Sequence, residues 1–180
     1  MKMCAHVSDL AAVVKLAIFD VDGVLTDGEL ILGPNGQEFK NFHVRDGLGL
    51  VMLRSTGVEL AIITGRESTV VAERMAALGI EHVLQGQSDK AQALDKLLDD
   101  LNVDARTVCY VGDDLPDLPV MMRVGLPVAV ADAHSELIKH AAWKTEAKGG
   151  AGAVREVCEM ILAAQGNLGT AIKNFGSQGQ

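Results

Sequence analysis

The sequence predicts an α/β protein built on a doubly wound parallel sheet, and three observations predict it. Five short runs are apolar on nearly every residue and rich in β-branched side chains, which is typical of strands covered on both faces. Segments of helical period separate these runs, and such alternation favours a parallel sheet with right-handed crossovers. The chain has 180 residues, 48% of them hydrophobic, enough for one sizeable core and too few for two comfortable ones. We therefore expect residues 1–180 to form a single domain.

Taken in chain order, each element has its own sequence signal. The predicted strands cover residues 13–19, 58–64, 82–86, 107–112 and 126–131. The predicted helices lie in GLGLVMLRST, STVVAERMAALG, DKAQALDKLLDDL and LPDLPVMMRVG, and helix C-caps are expected at Gly57, Gly79 and Gly125. A last amphipathic helix follows the glycine-rich stretch that begins at Lys148. Residues 166–180, rich in Gly, Asn and Gln, are expected to form a flexible tail.

One segment after the first strand interrupts this alternation. Residues 28–42 contain two short strand-like pieces on either side of GPNG, and Pro-Asn-Gly is a strong turn signal. We therefore predict a β-hairpin in place of the expected crossover helix. An isolated hairpin is marginal in water, and this one carries the apolar run LIL, so we expect it to be buried against a partner subunit.

Charge and cysteine content disfavour several classes of function. The formal net charge of −8 and the lack of a basic run argue against nucleic-acid binding, although a locally basic pocket could still hold an anionic small molecule. Cys4, Cys109 and Cys158 lack metal-ligand spacing, so we expect reduced thiols in a cytoplasmic protein. The N-terminal stretch is not typical of a signal peptide, and no segment predicts a membrane span.

The residues at the carboxyl ends of the predicted strands carry the chemistry. Ligands of a doubly wound sheet bind beyond those ends. The first strand leads into Asp20 and Asp22, the second into Thr64 and a later one into Asp113, while Lys90 opens the helix after the third strand. Close carboxylates repel one another, so such a group persists mainly where a metal ion, a proton or a reaction compensates the charge.

A Mg²⁺-dependent phosphoryl transfer would use this set of groups. Mg²⁺ prefers oxygen ligands and typically takes one or two carboxylates together with waters and a phosphate. A carboxylate beside the ion can attack phosphorus and form an aspartyl-phosphate. A second carboxylate, two residues further on, could protonate the leaving oxygen and later activate water. A hydroxyl, an ammonium and the N–H groups at helix starts could hold the phosphoryl oxygens.

Four motifs at these strand ends, DVDGVLTDG, IITGR, SDKAQAL and GDDLPD, resemble the ordered motifs of the haloacid dehalogenase superfamily, and the resemblance covers nearly the whole chain. It implies a Rossmann-like core, with Asp20 as nucleophile and Asp22 as general acid/base. It implies Thr64 and Lys90 as phosphate ligands. The implied Mg²⁺ ligands are Asp20, the main-chain carbonyl of Asp22, and Asp113. The implied supporting residues are Gly65, Asp114 and Asp117.

Most members of this superfamily carry a large cap domain, whereas this chain looks capless and has only the hairpin after the first strand. This points to a particular family within the superfamily. The runs GELILGPNGQEFKNFHVRDGLGL and GGAGAVREVCEMILAAQG look like the 3-deoxy-D-manno-octulosonate 8-phosphate phosphatase family. This implies hydrolysis of that sugar-acid phosphate in lipopolysaccharide sugar synthesis, by a homotetramer in which a neighbouring subunit helps close the active site. The implied substrate-binding residues are Asp22, His43, Val44, Arg45, Asp46, Gly47, Arg66, Arg74 and Lys90. In one departure, Val51 stands where some members place an arginine.

The residues also leave other interpretations open. The same chemistry could act on a different acid sugar, such as a nonulosonate 9-phosphate. A signalling receiver domain combines a similar sheet with a phosphorylated Asp, Mg²⁺, Thr or Ser and Lys, although an acid two residues after Asp20 favours turnover over a stored signal. A non-catalytic domain could keep the fold for assembly. Asp114 or Asp117 taken alone could equally cap a helix, while a calcium loop is disfavoured because Gly23 comes too early.

Overall fold

A computed structural model describes residues 5–176, and its central feature is a six-stranded parallel sheet. Numbered along the chain, the strands are β1 (Leu16–Phe19), β2 (Ile31–Leu32), β3 (Glu38–Phe39), β4 (Glu59–Ile63), β5 (His82–Leu84), β6 (Val108–Gly112), β7 (Leu126–Ala129) and β8 (Trp143–Lys144). The sheet has the order β5-β4-β1-β6-β7-β8, and every neighbouring pair in it is parallel. The predicted fold class is confirmed.

Two groups of helices pack around this sheet. The α-helices are α1 (Ala5–Ala12), α2 (Val44–Arg54), α3 (Thr69–Leu78), α4 (Lys90–Leu101), α5 (Leu118–Met121), α6 (Ser135–His140), α7 (Ala153–Ala164) and α8 (Leu168–Gly176). Short 3₁₀ turns cover Pro34–Gly36, Ala105–Thr107 and Leu115–Asp117. Helices α1, α2, α3 and α7 form one connected group and α4, α5 and α6 another, as expected when helices cover both faces of a doubly wound sheet.

The core lies against the central strands. Every residue of β1 and β6 is buried, which explains why these segments are apolar without alternation. Removing these side chains from water is the main favourable contribution to folding. The predicted strands are confirmed to within a few residues, whereas β8 is a two-residue edge strand, Trp143–Lys144, too short to give a periodic signal.

The predicted hairpin is also present. Strands β2 and β3 pair antiparallel, with Ile31 opposite Phe39 and Leu32 opposite Glu38. Asn35 in the connecting turn has a φ of 62°, in the left-handed region that asparagine tolerates. Leu30, Ile31, Leu32 and Phe39 are exposed in the single chain. The hairpin therefore presents an apolar surface that the chain itself does not cover.

Two expectations about chain ends and caps need correction. The tail prediction is wrong for Leu168–Gly176, which form α8 and pack on α7. Ala171 of this helix is buried and Leu168 packs against the core, so spaced apolar residues stabilise a segment whose composition suggests disorder. Residues 177–180 lie outside the described part of the chain. Gly125 does not have the positive φ of a left-handed helix cap. Glycine is required there because a Cβ would lie 2.0 Å from the Arg106 carbonyl oxygen.

The sequence predictions on free cysteines and on membrane spans can be compared with the described residues. Cys109 and Cys158 are free and buried, while Cys4 lies outside the described residues. Across residues 5–176, every helix is too short or too polar to cross a membrane.

Candidate active site

The carboxyl ends of three adjacent strands open onto one cavity of about 320 Å³. Because β1 lies between β4 and β6, the residues that follow these strands meet at the same edge of the sheet. The predicted residues that line the cavity are Asp20, Asp22, Thr64, Gly65, Arg66, Lys90, Asp113, Asp114 and Asp117. Gly28 and Pro116 line it as well, and sequence reasoning does not single them out.

Lys90 joins two carboxylates in the floor of the cavity. Its Nζ lies 2.9 Å from Asp20 Oδ1 and 2.6 Å from Asp117 Oδ1, and all three residues are buried. The Asp89 side chain caps α4 by accepting bonds from two backbone N–H groups, which sets Lys90 as the first helical residue. Burial lowers the pKa of Lys90, but the attraction of Asp20 and Asp117 outweighs burial and raises the pKa above its ordinary value.

Asp117 stabilises the loop that carries Asp113 through hydrogen bonds. Its Oδ1 accepts the hydroxyl of Tyr110 at 2.6 Å, in addition to Lys90. Its Oδ2 accepts the backbone N–H groups of Asp113 at 3.0 Å and Asp114 at 3.3 Å. Sequence reasoning misses Tyr110, although a buried tyrosine hydroxyl needs a partner and this one lies on a strand that leads into the site.

Asp114 has a local role in the same loop. Its side chain accepts the Leu115 N–H at 2.8 Å and forms a reciprocal capping box with Asp117 at the Leu115–Asp117 turn. The helix-cap interpretation of these two acids therefore holds, and Asp117 combines it with its contact to Lys90.

Three carboxylates of the cavity, those of Asp20, Asp113 and Asp117, lie close together, and the ammonium of Lys90 pairs with two of them. Oxygens of Asp20, Asp113 and Asp117 all lie within 4.8 Å of one another. Burial, and after it repulsion from Asp117, raises the pKa of Asp20 to about 6. Burial, and after it repulsion from Asp117 and Asp20, raises the pKa of Asp113 to about 8. Buried like charges this close favour proton uptake or cation binding.

The donor set fits a hard divalent cation such as Mg²⁺, whose preferred ligands are oxygens. Asp20 Oδ1 is buried and makes no hydrogen bond beyond its ion pair with Lys90. Gly23, at a φ of +92°, lets the turn after β1 approach Asp113, because a Cβ there would lie 2.1 Å from Asp113 Oδ2. Asp20 and Asp113 are therefore the side chains that could hold the ion. Since Asp117 already accepts four hydrogen bonds, it is less suited to binding the ion.

Asp22 lines the same cavity, and its carboxylate contacts two cations, Lys40 and Arg66. Its Oδ1 pairs with the ammonium of Lys40, and its Oδ2 lies 3.8 Å from Arg66 Nε. The prediction assigns the main-chain carbonyl of Asp22, not its carboxylate, to the metal, and these contacts of the carboxylate are compatible with that role. Sequence reasoning misses Lys40, which is 18 residues from Asp22 and belongs to none of the four motifs.

Thr64 and Gly65 follow β4 directly. Thr64 is buried and its backbone is fixed on both sides, by bonds from its N–H to the Leu84 carbonyl and from the Gln87 N–H to its carbonyl, each 3.0 Å. Both residues line the cavity. A contact of Thr64 with phosphate and a supporting role of Gly65 stay predictions.

Most of the predicted substrate-side residues lie apart from this cavity. His43, Asp46, Gly47 and Arg74 border a tight crevice together with Leu25, Phe42 and Leu78, while Val44 and Arg45 are exposed. The guanidinium carbon of Arg74 lies 5.9 Å from the centre of the Phe42 ring. Val51, the departure from the family pattern, packs against the core. Of the predicted substrate residues, Asp22, Arg66 and Lys90 line the cavity.

Asp46 has a structural contact that sequence reasoning does not find. Its carboxylate accepts the N–H groups of Gly152 at 3.2 Å and Arg155 at 2.7 Å. Gly152 is the cap residue of α7 and Arg155 lies in its first turn, and Gly152 has no side chain to supply an acceptor. Asp46 therefore caps α7 from another helix. Burial raises the pKa of Asp46 despite these hydrogen bonds. A contact of Asp46 with substrate stays a prediction.

The glycine-rich loop before α7 supports the turn after β1. The Gly150 N–H donates to the Val24 carbonyl at 2.9 Å. A Cβ on Gly149 would lie 1.7 Å from the Gly23 carbonyl oxygen, so only glycine permits this contact. The loop thus packs against the segment that follows Asp20 and Asp22.

Comparison with known proteins gives consistent results. The sequence profile of the haloacid dehalogenase-like hydrolases matches residues 79–156. The chain is similar to a curated 3-deoxy-D-manno-octulosonate 8-phosphate phosphatase from Salmonella typhi, with 52% identity over 92% of this chain and 88% of the relative. The crystal structure of the phosphatase of that name from Yersinia pestis aligns with a TM-score of 0.91 and 49% identity, over 93% of this chain and 90% of its own.

A further solved structure carries ligands. The 3-deoxy-D-manno-octulosonate 8-phosphate phosphatase from Moraxella catarrhalis aligns with a TM-score of 0.94 and 43% identity, covering 96% of this chain and 99% of its own. It was crystallised in complex with a magnesium ion, a phosphate ion and a KDO molecule.

Proposed function

The chain belongs to the 3-deoxy-D-manno-octulosonate 8-phosphate phosphatase family of haloacid dehalogenase-like hydrolases, and from this premise we propose its reaction. It hydrolyses 3-deoxy-D-manno-octulosonate 8-phosphate to 3-deoxy-D-manno-octulosonate and phosphate, with Mg²⁺ as cofactor. The observation that carries the proposal is the close approach of the Asp20, Asp113 and Asp117 carboxylates, whose oxygens lie within 4.8 Å of one another around one ammonium, that of Lys90. Burial, and after it their mutual repulsion, raises the pKa values of Asp20 and Asp113. A phosphatase of this family needs such a site for its cation.

In the first half-reaction, an Asp20 oxygen attacks phosphorus and the bond between phosphorus and the sugar oxygen breaks. Asp22 donates a proton to that leaving oxygen. Lys90 and Thr64 hold the phosphoryl oxygens as charge develops on them. Mg²⁺, held by Asp20, the Asp22 carbonyl and Asp113, offsets the negative charge of the phosphate and the carboxylates.

In the second half-reaction, water attacks the phosphorus of the aspartyl-phosphate. Asp22, now ionised, takes a proton from this water, and the bond between phosphorus and the Asp20 oxygen breaks. Inorganic phosphate leaves and both carboxylates return to their starting state. Lys90 stays charged throughout, because Asp20 and Asp117 raise its pKa.

Substrate selection falls to residues outside the phosphate site. Arg66 stands at the mouth of the cavity, where its guanidinium suits a carboxylate or a hydroxyl-rich anion. We also propose the roles of His43, Val44, Arg45, Asp46, Gly47 and Arg74 on the substrate side. Since these residues lie away from the cavity of one chain, a second subunit would have to complete the pocket.

A homotetramer is the assembly we propose for this purpose. The exposed apolar side chains of the hairpin, Leu30, Leu32 and Phe39 among them, support it, because an uncovered hydrophobic patch of this kind marks an interaction site. We place the enzyme in the cytoplasm, where its buried thiols would stay reduced. The relatives' names favour this function over a receiver domain, an assembly domain or a nonulosonate phosphatase.

Phosphate release from a panel of sugar phosphates, with Mg²⁺ and with EDTA, tests the proposal. We expect metal-dependent release with a strong preference for the octulosonate phosphate, which would also mean that Val51 is tolerated. Metal-dependent release from another acid sugar would keep the mechanism and discard the substrate. Lack of release from the whole panel would discard both.

A further inference from the structure

Lys40, at the base of the hairpin, forms an ion pair with Asp22, the candidate general acid/base. Lys40 directly follows β3, and its ammonium pairs with Asp22 Oδ1. The side chain of Lys40 is only 1% exposed, although lysine is almost never fully buried unless it is paired. A buried ammonium without a partner would be costly. The ion pair between Lys40 and Asp22 is therefore part of the folded structure, unlike a solvent-exposed salt bridge that forms and breaks readily.

Lys40 belongs to a cluster of four charges at the cavity mouth. Glu38 Oε1 lies 3.5 Å from Lys40 Nζ and 3.4 Å from Arg66 Nη2. Arg66 Nε in turn lies 3.8 Å from Asp22 Oδ2, but the Arg66 side chain is 47% exposed. Of the two cations beside Asp22, Lys40 is thus the rigid one. Within residues 5–176, Lys40 also makes the one observed hydrogen bond to the Asp22 carboxylate.

We propose that Lys40 is a positioning residue for Asp22, an inference that rests on the proposed function. Lys40 occupies Oδ1 and so fixes the carboxylate, which leaves Oδ2, 3.8 Å from Arg66 Nε, to carry the proton. Oδ1 can accept this bond whether or not Oδ2 is protonated, so the orientation persists through both half-reactions. A general acid must lie within hydrogen-bonding reach of the leaving oxygen, and small displacements are costly in rate.

The placement of Lys40 also ties the acid/base to the hairpin. Lys40 and Glu38 both belong to the second half of the hairpin, whereas Asp22 and Arg66 come from the loops after β1 and β4. The four charges therefore connect an insertion that lacks a core of its own to the two strand ends that build the active site.

A comparison of leaving groups separates this role from a merely structural one. An alkyl phosphate such as the octulosonate phosphate needs a proton on its leaving oxygen, whereas p-nitrophenyl phosphate releases a stable phenolate without one. We expect Lys40→Met to lower kcat/KM about tenfold on the sugar phosphate and by no more than about twofold on the aryl phosphate. The ratio of the two values does not depend on the fraction of folded enzyme.

Three further variants sharpen the test. Lys40→Arg keeps the charge and should restore part of the lost ratio. In an Asp22→Asn background, Lys40→Met should add no further loss, because the group that it positions is already disabled. Lys139→Met removes an exposed lysine that is paired with Glu136 on the surface and should leave both activities unchanged.

Two results would overturn the inference. An equal loss on both substrates would show that Lys40 only supports the fold, and a further loss in the Asp22→Asn background would show that Lys40 acts independently of Asp22. If the wild-type enzyme released no phosphate from the octulosonate phosphate, only the proposed substrate would fall. Glycerol phosphate, another alkyl phosphate, would then serve in the same comparison.

Discussion

Carboxylates at two places in this chain are wholly or partly buried, but they face different groups. At the strand ends, Asp20, Asp113 and Asp117 face one another around a single ammonium, that of Lys90. At the start of α7, Asp46 is at least as buried but faces two backbone N–H groups. Burial raises the pKa of Asp46 as it does those of Asp20 and Asp113, so burial alone does not separate the two groups.

The difference lies in what each carboxylate faces. Asp46 is held by amide donors that satisfy a helix terminus, and the contact is complete within the chain. Asp20 and Asp113 are held near other carboxylates, and their contacts become complete only with added positive charge. A buried carboxylate whose hydrogen bonds are complete within the chain therefore indicates a structural role. A carboxylate whose negative charge the chain leaves unbalanced indicates a catalytic or metal-binding role.

Asp20→Asn should abolish turnover, with kcat reduced by at least about a thousandfold, since an amide cannot form the covalent intermediate. The chain should remain folded and be no less stable without metal, because the change is nearly isosteric and removes a repelling charge. Steady-state kinetics and thermal unfolding check both parts. Substantial turnover in the pure variant would refute the assignment of the nucleophile.

Gly23→Ala should weaken Mg²⁺ binding by about tenfold or more, because the new methyl group would meet the Asp113 carboxylate and displace a proposed ligand. Gly36→Ala is a matched control, since Gly36 also has a positive φ, +77°, but a Cβ there meets nothing within 4 Å. Backbone strain thus cancels between the two variants. Titration of activity against Mg²⁺ measures the difference, and equal shifts in both would contradict the placement of Asp113.

Asp46→Asn should lower the free energy of unfolding by about 2 kcal/mol, since it removes a charge-assisted cap from α7. Asp95→Asn, at an exposed pair with Arg123, should change it by less than about 0.5 kcal/mol. Denaturant unfolding of both variants provides the values. If Asp46→Asn were as stable as the wild type, the cap would contribute nothing and the contrast between the two groups would weaken.

The metal-free chain should lose stability as the pH rises from about 5 to about 8. The folded-state pKa values of Asp20, about 6, and Asp113, about 8, lie above the ordinary value of 3.8, so the folded chain binds more protons than the unfolded one. Their contribution is complete below the ordinary value and is lost as the pH rises through the two raised values, at up to about 1.4 kcal/mol per pH unit for each group.

Saturating Mg²⁺ should remove this pH dependence, because the cation takes the place of the protons. Asp113→Asn in EDTA should flatten the upper part of the profile for the same reason. Unfolding in denaturant at a series of pH values measures both effects. A metal-free stability that rose across this range would contradict the charge deficit.

The fold and the main lining of the cavity were predictable from sequence because both depend on local patterns. Strand periodicity, the GPNG turn and the short motifs at strand ends each lie within a few residues. The topology of a doubly wound sheet then brings Asp20, Thr64 and Asp113 to one edge without further information.

The contacts that sequence reasoning missed join residues far apart in the chain. Lys40 reaches Asp22 across 18 residues, and Asp46 reaches Arg155 across 109. Nothing in the neighbourhood of either residue marks such a pair, since a lysine after a strand and an aspartate in a first helical turn are both common. Helix α8 was missed for another reason, because its Gly and Asn content conceals the spacing of Leu168 and Ala171.

The most direct test of the central claim is to trap the phosphoryl group on the enzyme. Asp22→Asn should form the covalent intermediate from p-nitrophenyl phosphate and Mg²⁺, since this leaving group needs no proton, but hydrolyse it slowly. Acid quenching, borohydride reduction and peptide mass mapping would locate the modified residue. We expect modification at Asp20, and we expect EDTA to abolish it. Modification at another residue, or none under conditions in which the wild type turns over, would contradict that claim.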